Sequence, residues 1–143
     1  MPTIERSVAV QQPVEKVWEF LSDFTTTESW DPGTVSCERV SGDGGVGTVY
    51  RNVSRFMGRE VEIEYTAVEV VPGRQFRLHG RTGAMEMEDL MRFHAEGDRT
   101  RIDYIAHFEP QGLTKLVTPL MAPFFKKLGD DAAESLERTL NEL

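Results

Sequence analysis

The side chains in this 143-residue sequence that could do chemistry are few and scattered. Cys37 is the single cysteine, so it forms no internal disulfide and cannot by itself build a structural zinc site. His79, His94 and His107 lie far apart, without the H-x-x-x-H spacing that stacks two imidazoles on one helical face. The stretch GDGGVGTV, Gly42 to Val49, fits G-x-G-x-x-G-x-V, a glycine loop able to cover nucleotide phosphates. That chemistry needs a helix directly after the glycines, whose first amides hold phosphate, or else the remainder of a kinase. Here the glycines run into TVYRNVSRF, which alternates and is β-branched and aromatic, and no V-A-I-K, H-R-D or D-F-G follows. Glycine is therefore read as supplying positive φ for a hairpin turn between two strands. No metal set and no cofactor is expected.

The remaining candidates can be judged only on the elements that carry them. Thr3 to Val10 alternates as a strand. Pro13 opens a helix whose Val14, Val17, Trp18 and Leu21 form one apolar face. Thr25-x-x-Glu28 reads as a capping box for a second short helix, stopped by Pro32 and Gly33. From Thr34 the period becomes two: a strand around Val35 to Arg39, then Thr48 to Met57, Val61 to Val71, Arg74 to Thr82, Met85 to Ala95 and Thr100 to Phe108. Short Gly-containing links make them successive antiparallel neighbours. After Gln111-Gly112, Leu113, Leu116, Leu120, Phe124, Leu128, Ala132, Leu136 and Leu140 recur at helical spacing. Pro119 and Pro123 break that run into a short helical piece and a long final helix.

Because side chains alternate across a strand, parity assigns faces. Ile63, Tyr65, Phe76, Leu78, Met85, Met87, Met91, Phe93, Ile102, Tyr104 and Phe108 share an inner face, and the three histidines fall outside it. Asp89 breaks the rule, sitting in phase with Met87 and Met91, where an unpaired carboxylate is costly. Leu90 is equally odd on the outer face, so a bulge near residues 88 to 90 would correct both and is the preferred reading. The other is a buried acid of raised pKa that meets a hydroxyl or an arginine. In the third strand either Tyr50, Asn52, Ser54 and Phe56 or the set containing Arg51 and Arg55 points inward. Methionines between sheet and helix would fit varied apolar shapes.

The order strand, two short helices, six strands, long C-terminal helix resembles the helix-grip fold of the START-like (SRPBCC) superfamily, in its polyketide cyclase/dehydrase and lipid-transport branch. PVEKVWEFLSDF (13–24), ESWDPGT (28–34), GVGTVYR (45–51), VEVVPGRQFRL (68–78), GRTGAMEMEDLMRF (80–93) and TRIDYIAHFE (100–109) carry the resemblance, which spans nearly the whole chain. It implies one α+β domain, residues 1–143, with a curved antiparallel sheet of about seven strands around the final helix and a cavity between them. A ligand chamber there calls for roughly 300 Å³ or more.

The leading expectation is a binding protein for a small hydrophobic or amphipathic molecule, lipid, polyketide-like or isoprenoid. Its candidate contacts are Trp30, Tyr65, Phe76, Leu78, Met87, Asp89, Met91, Tyr104, Leu116, Leu120 and Phe124. The first alternative is a polyketide cyclase or aromatase, with Asp89 as acid or base, Tyr104 or Tyr65 as hydroxyl donor and Arg51 or Arg55 steadying an enolate. The second is a module acting through its surface on another protein. A formal charge of −8 argues against nucleic acid and anionic membranes as partners. The N-terminus has neither a signal peptide nor an apolar span, so a cytoplasmic protein without membrane insertion, a monomer or weak homodimer, is expected.

Overall fold

The computed structural model describes residues 3–56, 58–83, 85–112 and 118–143. Strand β1 (Thr3–Val10) leads into helix α1 (Val14–Leu21), a 3₁₀ turn (Phe24–Thr26) and helix α2 (Thr27–Trp30). Strands β2 (Thr34–Ser41), β3 (Val49–Phe56), β4 (Arg59–Val71), β5 (Gln75–Thr82), β6 (Met85–Glu96) and β7 (Arg99–Pro110) follow. A 3₁₀ turn at Thr118–Met121 then runs into helix α3 (Ala122–Asn141), as the two prolines require.

All strands pair antiparallel in one sheet of order β1-β7-β6-β5-β4-β3-β2. Each hairpin places a strand beside its predecessor, while β1 and β2 lie on opposite edges. The chain from Gln11 to Gly33 must therefore cross the inner face, and it does so as α1 and α2. Trp18 of α1 packs edge-on against Phe93 (5.0 Å between centroids) and Phe76 (6.2 Å). Phe24 meets Tyr65 at 4.8 Å and Tyr50 at 5.7 Å. Such edge-to-face pairs add about 0.5–1.5 kcal/mol each beyond simple burial.

The glycine loop is the hairpin turn its composition predicts. Gly42, Gly44 and Gly47 have φ of 92°, 101° and 92°, a region closed to most L-residues. Its amides are occupied: Gly44 N–H donates to Thr48 Oγ1, Gly45 N–H to Asp43 Oδ1 and Gly47 N–H to Ala67 O. No phosphate cradle is left among them.

Two local expectations need correction. The expected Thr25–Glu28 capping box does not form. Asp23 accepts from the Thr25 amide and hydroxyl, and Glu28 instead accepts the Cys37 amide at 2.7 Å, tying α2 to β2. The bulge expected at Asp89 is also absent, since β6 pairs in unbroken register with β5 and with β7 through that residue. The extra residue lies in β4 instead, where Ala67 faces Leu78 but Glu69 faces Arg77. This shifts parity, so Val70 rather than Glu69 is the residue directly across from buried Phe76.

Helix α3 lies along β1, and Gly129 sets the approach. A Cβ there would stand 2.5 Å from Ile4 Cγ2 and 3.0 Å from Arg6 Nη2. Arg6 then donates from Nε to Asp130 Oδ1 (3.0 Å) and from Nη2 to the Lys126 carbonyl (3.2 Å). A helix leaning on one edge of a curved sheet leaves room over the middle strands.

Candidate functional site

That room is a cavity of about 170 Å³ between α2, the N-terminal half of α3 and the inner faces of β3, β4, β6 and β7. It is smaller than the chamber expected from the fold and is of the scale of a single aromatic ring; an engineered core cavity of about 150 Å³ takes up benzene. Its walls are mainly apolar: Phe24, Trp30, Phe56, Ile63, Met85, Met87 and Phe108 from sheet and helices, with Leu128, Gly129 and Ala132 from α3. Half-buried Phe56, Val61, Thr82 and Leu128 mark its outer end, where the β3–β4 and β5–β6 hairpins turn.

The polar groups in it are concentrated. Asp89 faces Leu78 on β5 and Ala106 on β7, is only 5% exposed, and accepts from the Tyr104 hydroxyl at 3.4 Å. Burial pushes its pKa up to about 7, helped by the charge of Asp31 and opposed by the Tyr104 hydrogen bond. Asp31 owes its place to the turn that ends α2: its backbone carbonyl accepts from the Thr34 amide, Oδ1 from the Gly33 amide (3.0 Å) and Oδ2 from the Thr34 hydroxyl (2.9 Å). Burial raises its pKa too, against those two hydrogen bonds. The hydroxyls of Tyr65 and Tyr104 are held well above the usual tyrosine range by burial and by the neighbouring Asp89 and Asp31 charges. Tyr65 donates to Met87 Sδ at 3.2 Å. Buried Asn52 donates to Thr34 Oγ1 and accepts from Ser54.

Of the residues expected to touch a ligand, Trp30, Tyr65, Met87, Asp89 and Tyr104 line this cavity. Phe76, Leu78 and Met91 do not line it; they are fully buried in the core, Phe76 edge-on beneath Trp18. Leu120 is 82% exposed, and Phe124 packs on Phe56 at 5.0 Å, just behind the wall. Leu116 lies outside the described residues. Arg51 points outward, bridging Glu38 (2.8 Å) and Glu62 (3.2 Å), because Tyr50 and Asn52 take the inner face of β3. Arg55 borders the cavity at its rim, yet its side chain is 65% exposed and reaches toward Glu60 at 3.9 Å. Neither arginine approaches Asp89 as an internal partner.

Asp31, Asn52 and Ser54 are the cavity groups that the strand pattern did not mark as site residues. Asp31 hides inside a turn signal, and Asn52 shares phase with Tyr50, which was the available clue. Cys37 is buried and burial raises its thiol pKa, which disfavours a nucleophilic thiolate. Histidines lie on the outer face: His94 Nε2 is 2.9 Å from Asp103, and His107 Nδ1 is 2.8 Å from the Thr3 hydroxyl. Among the described residues no cluster of three His, Cys, Asp or Glu could hold a metal ion, and no helix is long and apolar enough to cross a membrane. A second recess of about 290 Å³, between α1 and the glycine loop, mixes Asp23, Asp43 and Arg39 with Trp18 and Tyr50.

Residues 1–141 match the family described as polyketide cyclase / dehydrase and lipid transport. No curated protein matches the chain. Among solved structures, a protein from Thermus thermophilus is similar over 99% of this chain and 95% of its own, with TM-score 0.76 and 23% identity. A START superfamily protein from Mycobacterium smegmatis is similar over 98% and 94%, with TM-score 0.75 and 17% identity. The Zhui aromatase/cyclase from Streptomyces sp. R1128 is similar over 99% and 85%, with TM-score 0.69 and 20% identity. At these identities the likeness is one of fold: a helix-grip domain.

Proposed function

This chain belongs to the polyketide cyclase / dehydrase and lipid transport family, and from that premise we propose that it holds one small amphipathic molecule in the chamber under α3. The observation that carries this reading is an apolar cavity with a single polar corner formed by Asp89, Tyr104 and Asp31. Apolar walls exclude water from the body of the ligand, and a few convergent polar groups set its orientation. The volume favours a ring-sized body over an extended chain. The contacts we assign are Trp30, Tyr65, Met87, Asp89 and Tyr104, joined by Asp31 and Asn52. Phe76, Leu78 and Met91 act behind the wall.

A calorimetric panel of one-ring ligands, with native mass spectrometry of the purified chain, tests the proposal. Binding of a ring-sized ligand that is lost in the cavity-filling variant Ala106→Phe supports it. Absence of binding across the panel overturns it.

A second reading, a cyclase-type enzyme, draws on Asp89 and Tyr104. A carboxyl poised near neutrality beside a tyrosine hydroxyl can take a proton from a carbon next to a ketone, while the hydroxyl donates to the enolate oxygen. Arg51 has no part in that chemistry, and Arg55 reaches solvent. Turnover of a poly-β-ketone that survives both Asp89→Asn and Tyr104→Phe removes this reading. The third reading, a surface-acting module, has less support, because outer-face Arg77 is engaged by Glu69 and Glu88 in a solvated charge ladder.

A further inference from the structure

Asp89 is a strange residue to find in a chamber for oily molecules. It is nineteen parts in twenty buried, and the long contact from the Tyr104 hydroxyl to Oδ2 is its one hydrogen bond among the described residues. Its other oxygen, Oδ1, has no protein partner there, and the buried indole N–H of Trp30, which lines the same cavity, has none either. A buried carboxyl with a free oxygen is unfavourable unless something completes it. The cavity it borders is where that something would sit.

Charge around it points one way. Asp31 brings a second carboxyl to the same chamber, with both oxygens already held by Gly33 and Thr34, so it contributes negative potential rather than a free acceptor. Tyr65 on β4 and Tyr104 on β7 add hydroxyls and ring faces, and Asn52 on β3 adds an amide already engaged. Glu88 precedes Asp89 on the outer face, paired with Arg77. From α3 come Leu128, Gly129 and Ala132, which carry no charge. Among the described residues no lysine or histidine lines the cavity, and Arg55 at the rim is mostly in solvent.

We propose that the ligand is an organic amine with one ring, its ammonium group seated on Asp89 with Asp31 behind, and its ring between Trp30, Tyr65 and Met87. This rests on the binding reading above and narrows it. An ammonium would donate to Oδ1 in a charge-assisted bond, and Trp30 and Tyr104, edge-on to each other at 5.8 Å, line the chamber beside it. A fatty acid or other anion would set a further carboxylate against Asp89 and Asp31 in the same space. A neutral ketone would need Asp89 to keep its proton and would make no use of Asp31.

The two chemistries respond to pH in opposite senses. Asp89 ionises near pH 7, so an amine gains affinity as pH rises through that value, whereas a hydrogen-bond acceptor that needs the acid's proton loses it. The test is titration calorimetry on the full chain with benzylamine, benzyl alcohol and benzoate, at about pH 5.5 and about pH 8. At the higher pH benzylamine should bind roughly tenfold or more tightly than the alcohol, with benzoate weakest. Asp89→Asn should bring the amine down to about the alcohol's affinity and abolish its gain between the two pH values, while near-UV circular dichroism of the variant reports an intact fold. Alcohol binding equal to or tighter than the amine, or amine affinity indifferent to pH or to Asp89→Asn, overturns the amine proposal while the chamber stands. Failure of all three probes to bind at millimolar concentration overturns both.

Discussion

The inner face of the sheet has a filled half and an open half, and the same strands supply both. On β5, Phe76 and Leu78 belong to the filled half and Thr82 to the open one, with Gly80 between them. On β6, Met91 and Phe93 are followed, toward the hairpin, by Asp89, Met87 and Met85. Helix α3 repeats the division: Leu136 and Leu140 are fully buried at one end, while Gly129 and Ala132 border the cavity at the other. Strand composition alone does not decide which half is hollow, since methionine and phenylalanine occur in both. The covering element does. Helix α1 lays Trp18, Val17 and Leu21 over one half, and a stretch of α3 with small residues crosses the other.

The largest difference between the halves should appear on truncating one side chain in each. Phe76→Ala removes a ring that packs against Trp18 and Phe24, and should cost about 3–5 kcal/mol. Met87→Ala should cost about 2 kcal/mol or less, because Met87 already borders empty space and loses fewer contacts. Urea unfolding of both variants measures this. Equal costs would mean that the halves are equally packed, and the division would fall.

Much of this fold was legible because alternation and glycine turns are local. Parity put Asp89 on the inner face correctly. The error lay in resolving its discomfort with a bulge, on the evidence of Leu90. That leucine is 6% exposed although it faces outward, between Arg77 and Ile105 on the central strands, where long charged side chains can shelter an apolar neighbour. The helix stripe misleads for a related reason. Counting apolar residues gives Leu120, Phe124, Leu128, Ala132, Leu136 and Leu140; the last three are buried, but before them the buried line runs through Phe125 and Gly129 instead. Glycine carries no hydrophobic signal, yet it marks the closest approach. Arginines 51 and 55 sit on a strand with two mixed faces, and their glutamate partners on β2 and β4 settle the choice through pairing that no local pattern contains. The cavity's size depends on the distance between non-local elements, and sequence gives none.

The next effect, in descending order, concerns the charge in the open half. Below about pH 4 Asp89 is protonated whether the chain is folded or not. Between there and its folded value of about 7 the unfolded chain ionises while the fold retains the proton, so raising the pH favours unfolding. Above that the loss is constant, on the order of 4 kcal/mol for a shift of this size. Asp89→Asn, which carries its own smaller cost for a buried amide, should therefore gain roughly 3 kcal/mol over the wild type near pH 8 and lose roughly 1 kcal/mol near pH 4. Asp31 shifts in the same direction and persists in both proteins, and Asp103 and Asp130 shift oppositely, so the difference between the two curves is the quantity to read. A difference independent of pH would show that Asp89 titrates normally and that the open half is well hydrated.

The smallest expected effect lies at the border of the two halves, at Gly80. Its backbone is ordinary strand, so conformation does not explain a glycine there, but a Cβ would stand 2.6 Å from Tyr65 Cε1 and 2.8 Å from Met87 Cγ. The missing side chain is thus the seat on which the Tyr65 ring and the Met87 thioether rest while their tips meet. In a filled core an added methyl costs about 1–3 kcal/mol. Here both neighbours can retreat into the cavity, so Gly80→Ala should sit at the low end, about 1 kcal/mol, and should take its toll on volume instead. The variant should lose most of its affinity for a ring-sized ligand while its urea midpoint moves little. If stability falls by several kcal/mol and binding is preserved, Tyr65 and Met87 have nowhere to go, and the hollow drawn between them and α3 is not there.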